Sequence, residues 1–216
     1  ASALAEEATA TLQLLRHDLG TLSGRALAAA GAVLAEGDHF PERLSVMGHP
    51  IEAVKTRLHG DFHLGQVLIV GSDVVLIGFG AGPGQGLETR RSKGSPLKDV
   101  AGLLRSLDYA ASTALVKLTA ERPEDLKILE PLARGWESVA REAFMAGYRE
   151  RILGCPAWPS APGEADRLTT LFCLQRVLHD VRDELDNRPD WVWIPLERLL
   201  ALMSRSATEH PTPGQG

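Results

Sequence analysis

Ten residues at positions 57–66, RLHGDFHLGQ, run without a break into the apolar tetrapeptide VLIV at 67–70. They concentrate two histidines, an aspartate, two glycines and a glutamine in one short polar stretch. A polar cluster pinned against a buried-looking strand constrains the fold more than any other feature of this chain. The surrounding elements must hold a tight loop at the mouth of a strand, and loops held in that way carry function.

A second apolar run, at 74–79, lies beyond Gly71-Ser72-Asp73. β-Branched residues on either side of a tight polar turn predict a hairpin, the one stretch of β structure expected. Elsewhere the periodicity is helical. Residues 3–19 set Leu4, Ala8, Leu12, Leu15 and Leu19 on one side, and residues 24–36 form an alanine-rich helix ended by Gly37. Residues 38–50 read as looser, with Pro41, Gly48 and Pro50 as breakers. Residues 78–86, GFGAGPGQG, form a glycine-rich loop, followed by a basic run with Arg90, Arg91 and Lys93. Ser95 as N-cap and Pro96 at the first helical position open a helix to about residue 119, with Asp99 capping its positive end. Its apolar face holds Val100, Leu103, Leu104, Leu107 and Ala111. Residues 124–152 are helical with a break near Pro131, and 154–163 form a proline-rich loop. Residues 164–185 are helical, 186–193 form a polar-aromatic turn, 195–205 a last helix, and 210–216 a flexible tail.

A net charge of −5 argues against a broad nucleic-acid surface. No apolar run approaches membrane-spanning length and no signal peptide is seen, so a cytoplasmic protein is expected. Cys155 and Cys173 belong to no ligand cluster and read as two reduced thiols.

The polar loop has the spacing of a phosphotransfer site. In the protein-kinase pattern H-R-D-x-x-x-x-N, the aspartate accepts the proton of the attacking hydroxyl, and an amide five residues later offers its oxygen to Mg²⁺. His59, Gly60, Asp61 and Gln66 stand at those positions. HGDFHLGQ resembles the catalytic loop of the maltokinases, including the maltokinase domains of trehalose synthase fusions. That family belongs to the aminoglycoside-phosphotransferase branch of the protein-kinase-like superfamily. The stretches ETRRSKGSPLKDVAGLLRSLDYAA and DELDNRPDWVWIPLERLL are similar to maltokinase segments in the same order, so the likeness spans residues 57–200.

The resemblance implies a mainly α (α+β) fold: residues 1–209 as the acceptor-binding C-terminal lobe, with one hairpin after the catalytic loop; the N-terminal ATP lobe of the family, by contrast, is not expected ahead of Asp61 in this sequence. It implies ATP and Mg²⁺ as cofactors and a disaccharide or other sugar as partner, with maltose converted to maltose 1-phosphate. Trehalose synthase or a missing N-terminal lobe is a further partner. Asp61 would be the catalytic base and Gln66 a metal ligand, with Arg57, His59 and His63 supporting the loop. Arg90, Arg91 and Lys93 become candidates for phosphate or sugar contacts, and Asn187, Arg188, Asp190 and Trp191 for the sugar end.

This chain departs from the family at the second metal segment. The maltokinases read D-F-E-G-E-P where residues 78–83 read GFGAGP, so Gly78 replaces the metal-binding aspartate. Loss of a hard oxygen ligand predicts weak or absent phosphoryl transfer. Two readings follow: a sugar phosphotransferase lobe, or a non-catalytic pseudokinase module that binds a sugar or a trehalose-pathway partner.

Overall fold

The computed structural model describes residues 2–80 and 92–209, with side chains through Ser204. The chain divides into two compact units. One comprises Ala1–Ile51 with Thr170–Gly216, the other Glu52–Thr169.

The first unit is helical because its apolar residues recur at helical spacing. Helix α1 (Ser2–Asp18) buries Leu4, Ala8, Leu12 and Leu15, the expected face, while Leu19 falls in a 3-10 turn after it. Helix α2 (Gly24–Glu36) buries Ala26, Ala29, Ala30 and Val33. Residues 40–46, expected to be loose, form helix α3 (Phe40–Val46). Pro41 sits in its first turn, where the missing N–H has no helical partner to lose, so it starts the helix instead of breaking it. Phe40, Leu44 and Met47 are fully buried. The unit also receives the C-terminal part of α6 (Glu164–Asn187) and all of α7 (Trp193–Glu209). Arg25 lies 3.9 Å above the Trp193 ring and forks onto both carboxylate oxygens of Glu197 at 2.6 and 2.9 Å.

In the second unit, α4 (Leu97–Thr119) is the buried element. Val100, Leu103, Leu104, Leu107 and Ala111 all face inward as the spacing requires. Its start falls one residue later than the sequence reading: Pro96, at φ −60°, stands at the N-cap position, while Ser95 Oγ accepts the Leu97 N–H at 3.3 Å. Helix α5 (Leu126–Ile152) runs unbroken through Pro131, contrary to expectation. A proline in the second turn removes one hydrogen bond, which packing along the remaining length tolerates. α4 and α5 carry a line of charges. Asp108 receives Arg105 at 2.9 Å and Arg134 at 3.1 Å, and Glu137 receives Arg141 at 2.9 Å.

The β structure belongs to this unit. Strands β2 (Val67–Val70) and β3 (Asp73–Leu76) form the expected antiparallel hairpin, with Val67 opposite Leu76 and Val70 opposite Asp73. The run is not buried as its composition suggests: Ile69 is 78% exposed and Val70 60%. A second pair, β1 (Thr56–Arg57) with β4 (Lys93–Gly94), was not expected from the sequence. Two residues per strand carry no periodicity to detect. Among the described residues no helix is long and apolar enough to cross a membrane.

Candidate active site

His59 is the pin of the polar loop. It is buried, and four of its polar atoms are engaged. Its N–H donates to Asp99 Oδ2 at 2.7 Å, and its carbonyl accepts from Gly80 N at 3.1 Å. Its Nε2 meets the Ile77 carbonyl at 2.6 Å, so that nitrogen carries the proton. Nδ1 is then free to accept the Asp61 N–H, 3.4 Å away. Phe62 and Phe79 flank the ring with centroids at 5.3 and 4.7 Å. The loop-support role expected of His59 is therefore a link between the loop and the segment after β3.

Asp99 was expected to cap its own helix. Its carboxylate instead accepts from two loop amides, His59 N at 2.7 Å and Gly60 N at 3.0 Å. Gly60 turns at φ +90°, which presents its N–H to Asp99 without a Cβ in the left-handed region. Ser95-Pro96-x-x-Asp99 reads as helix-start chemistry in sequence, and that pattern hid the aspartate's longer-range use.

Asp61 is left with a half-buried carboxylate, and its nearest basic partner among the described residues is His63, Nε2 to Oδ2 at 3.8 Å. His63 caps the 3-10 turn Leu64–Gln66 by accepting the Gly65 N–H on Nδ1 at 3.1 Å. Its proton then sits on Nε2, 3.5 Å from the Gln66 carboxamide. A protonated Nε2 needs an acceptor, so the network calls for the Gln66 amide oxygen turned toward His63. That carboxamide also occupies the space over Gly78. A Cβ at position 78 would lie 2.1 Å from its nearest atom, and Gly78 stands at φ +75°.

This geometry bears on Mg²⁺. The ion demands an octahedral shell of hard oxygens, anchored in proteins by one or two carboxylates besides phosphates and water. Among the described residues the loop offers one carboxylate, on Asp61, and one amide oxygen, on Gln66. No cluster of three or more acidic, histidine or cysteine ligands occurs among the described residues. This donor set does not fit a Mg²⁺ site of the expected kind.

The other predicted residues divide. Arg57 and Lys93 are brought together, directly opposite each other in the β1–β4 pair, and both are exposed. Arg90 and Arg91 lie outside the described residues. Asn187, Arg188, Asp190 and Trp191 belong to the first unit. Arg188 bonds Glu184 Oε1 at 2.8 Å and lies 5.6 Å from the Trp191 ring centre. Asn187 Nδ2 donates to the Asp183 carbonyl at 2.9 Å, and Asp190 is exposed.

The helices, the hairpin and the loop it follows have the mainly α fold of a kinase-like C-terminal lobe. A solved glucosamine kinase in complex with glucosamine, ADP and inorganic phosphate superposes with a TM-score of 0.63 at 22% identity. The match covers 94% of this chain and 45% of that one. Another crystal form of glucosamine kinase gives 0.62, again at 22% identity, with 94% and 47% covered. By sequence, the chain is 31% identical over 153 residues to the glucosamine kinase of Mycolicibacterium smegmatis, covering 69% of this chain and 35% of that protein. It is 24% identical over 158 residues to the glucosamine kinase of Streptacidiphilus jiangxiensis, covering 73% and 33%. The chain thus spans about a third of the length of these curated relatives. No protein-family profile matches it.

Proposed function

We propose that this chain is the acceptor-binding lobe of a sugar phosphotransferase. The observation that carries the proposal is the half-buried Asp61 carboxylate, presented on a loop tied to Asp99 and His59. A carboxylate in that setting takes a hydrogen bond from a sugar hydroxyl and, during transfer, its proton. Arg57 and Lys93 add paired cations. Like charges set opposite each other in a ladder destabilise it unless an anion offsets them, which suits a phosphate.

The resemblance within residues 57–200 points to maltose, whereas the named relatives are glucosamine kinases. Glucosamine carries an ammonium that an acidic group recognises, and maltose does not. Calorimetry with glucosamine, maltose and ADP, each with and without Mg²⁺, tests the reading. Binding of one sugar at millimolar concentration or better, weakened at least tenfold by Asp61→Ala, is the expected result. No heat with either sugar would refute an acceptor lobe.

A second reading, a module that binds sugar without transferring phosphate, draws on one feature. The Gln66 carboxamide fills the space where a metal carboxylate at position 78 would stand. Sugar binding with no Mg²⁺-dependent nucleotide binding and no sugar-dependent ATP hydrolysis would favour this module over the enzyme.

A further inference from the structure

Three residues of α4 face the polar loop at helical spacing. Asp99 holds the His59 and Gly60 N–H groups. One turn on, Gly102 leaves room for the Phe62 carbonyl: a Cβ there would stand 2.5 Å from that oxygen. One turn further, Ser106 Oγ accepts the Leu64 N–H at 3.0 Å. Residues at i, i+3 and i+7 lie along one helix face, and the loop's alternate residues 60, 62 and 64 descend the same stripe.

The Ser106 hydroxyl has no freedom in this arrangement. It donates its proton to the Leu103 carbonyl at 2.7 Å, one turn back in the helix. Its lone pairs therefore face outward, toward the loop. Leu64 opens the 3-10 turn that carries Gln66, and Asp61 lies between the Gly60 and Phe62 contacts. We propose that Gly102 and Ser106 are positioning residues. Together they fix the descent of the loop along α4 and thereby the placement of Asp61 and Gln66. The inference rests on the acceptor-lobe reading only for what Asp61 then does.

Gly102 sets the distance and Ser106 sets the register. An alanine at 102 needs the Phe62 carbonyl to retreat by several tenths of an ångström, because helix backbone cannot move away from its own Cβ. An alanine at 106 leaves the Leu64 N–H to water. A threonine at 106 keeps the hydroxyl, its back-bond to Leu103 and its outward lone pairs.

The test uses the full chain, amide hydrogen exchange by NMR, and calorimetry with the sugar that the unmodified chain binds. In Ser106→Ala, exchange at Leu64 rises roughly five- to tenfold, as expected for one lost net hydrogen bond. Exchange at His59, held by Asp99, stays within about twofold, and Ser106→Thr restores Leu64. Gly102→Ala shifts the Asp61 and Phe62 amide resonances, and sugar affinity falls in Gly102→Ala and Ser106→Ala but recovers in Ser106→Thr. Unchanged Leu64 exchange in Ser106→Ala, or no recovery with threonine, overturns the proposal. So does unchanged sugar affinity in both alanine variants. If the unmodified chain binds no sugar, the acceptor-lobe reading fails, and the exchange and resonance data still decide whether the two residues position the loop.

Discussion

The contact between Gln66 and Gly78 is open to a double-mutant cycle. Placing any Cβ at position 78 has two separable costs. The backbone stands at φ +75°, where an L-residue costs about 1–2 kcal/mol relative to glycine. The Cβ would also stand 2.1, 2.6 and 2.9 Å from the three terminal heavy atoms of Gln66, so that side chain must leave its place. Moving it forfeits the approach to His63, a net hydrogen bond worth about 0.5–1.5 kcal/mol. Gly78→Ala alone is thus expected to destabilise by about 1.5–3.5 kcal/mol, the sum of those two ranges. In a Gln66→Ala background only the backbone part remains, about 1–2 kcal/mol. The coupling is therefore about 1 kcal/mol, above the few tenths expected of independent sites. Two assays read it: urea denaturation, and exchange at the Ile77 amide, which donates to the Gln66 carbonyl at 3.0 Å. Equal costs for Gly78→Ala in the two backgrounds would show that Gln66 does not fill the site, and the argument about the missing carboxylate would lose its structural basis. The same cycle predicts that Gly78→Asp gains little affinity for Mg²⁺ until Gln66 is shortened, which a Mn²⁺ relaxation titration would reveal.

Three further outcomes follow from the second unit. Asp99→Ala removes the acceptor of two charge-assisted bonds and is expected to destabilise by about 2–4 kcal/mol, with Asp99→Asn recovering part, as denaturant melts would show. Asp108→Ala leaves the buried Arg105 and its neighbour Arg134 facing no carboxylate at that position, and a loss of about 3–5 kcal/mol is expected in the same assay. Burial, then the neighbouring Cys155 and Asp99, hold the Tyr148 hydroxyl above its ordinary pKa of 10.0. The unfolded chain therefore loses that proton first. Folding stability is therefore independent of this group below the ordinary value and falls as pH rises from there through the raised one. Phenolate absorbance should show a late component that Tyr148→Phe abolishes. Because the hydroxyl is buried without a hydrogen-bond partner among the described residues, the same variant should be more stable at neutral pH by about 1 kcal/mol.

What the sequence disclosed depended on the range of the interaction that fixed each element. The faces of α1 and α4 were legible because leucines and alanines at helical spacing announce which side is buried. The hairpin was legible because Gly71 and Ser72 separate two β-branched runs. The polar loop from Arg57 to Gln66 was legible through motif spacing, and it stands directly ahead of the hairpin as expected. Asp99 was misread, since helix-start residues and a distant acceptor look alike in one dimension. Pro41 and Pro131 were read as breakers because composition does not record which proline sits where its N–H is dispensable. The β1–β4 pair left no trace: residues 57 and 93 are adjacent only in space. The wet hairpin misled in the opposite direction, because a continuous apolar run looks the same whether or not a partner covers it.

The bonds from α4 to the polar loop also say something about how the chain reaches its native form. They join residues 39, 40 and 42 positions apart, across the hairpin and the glycine-rich stretch. Contacts of that separation form late, since closing the intervening loop must precede any reward from the bonds. Residues 59–64 leave the ribosome well before the helix that shapes them. Until α4 has been made and has folded, Asp61 is one aspartate in an unordered segment. The arrangement of the site is thus stored downstream of the residues that compose it.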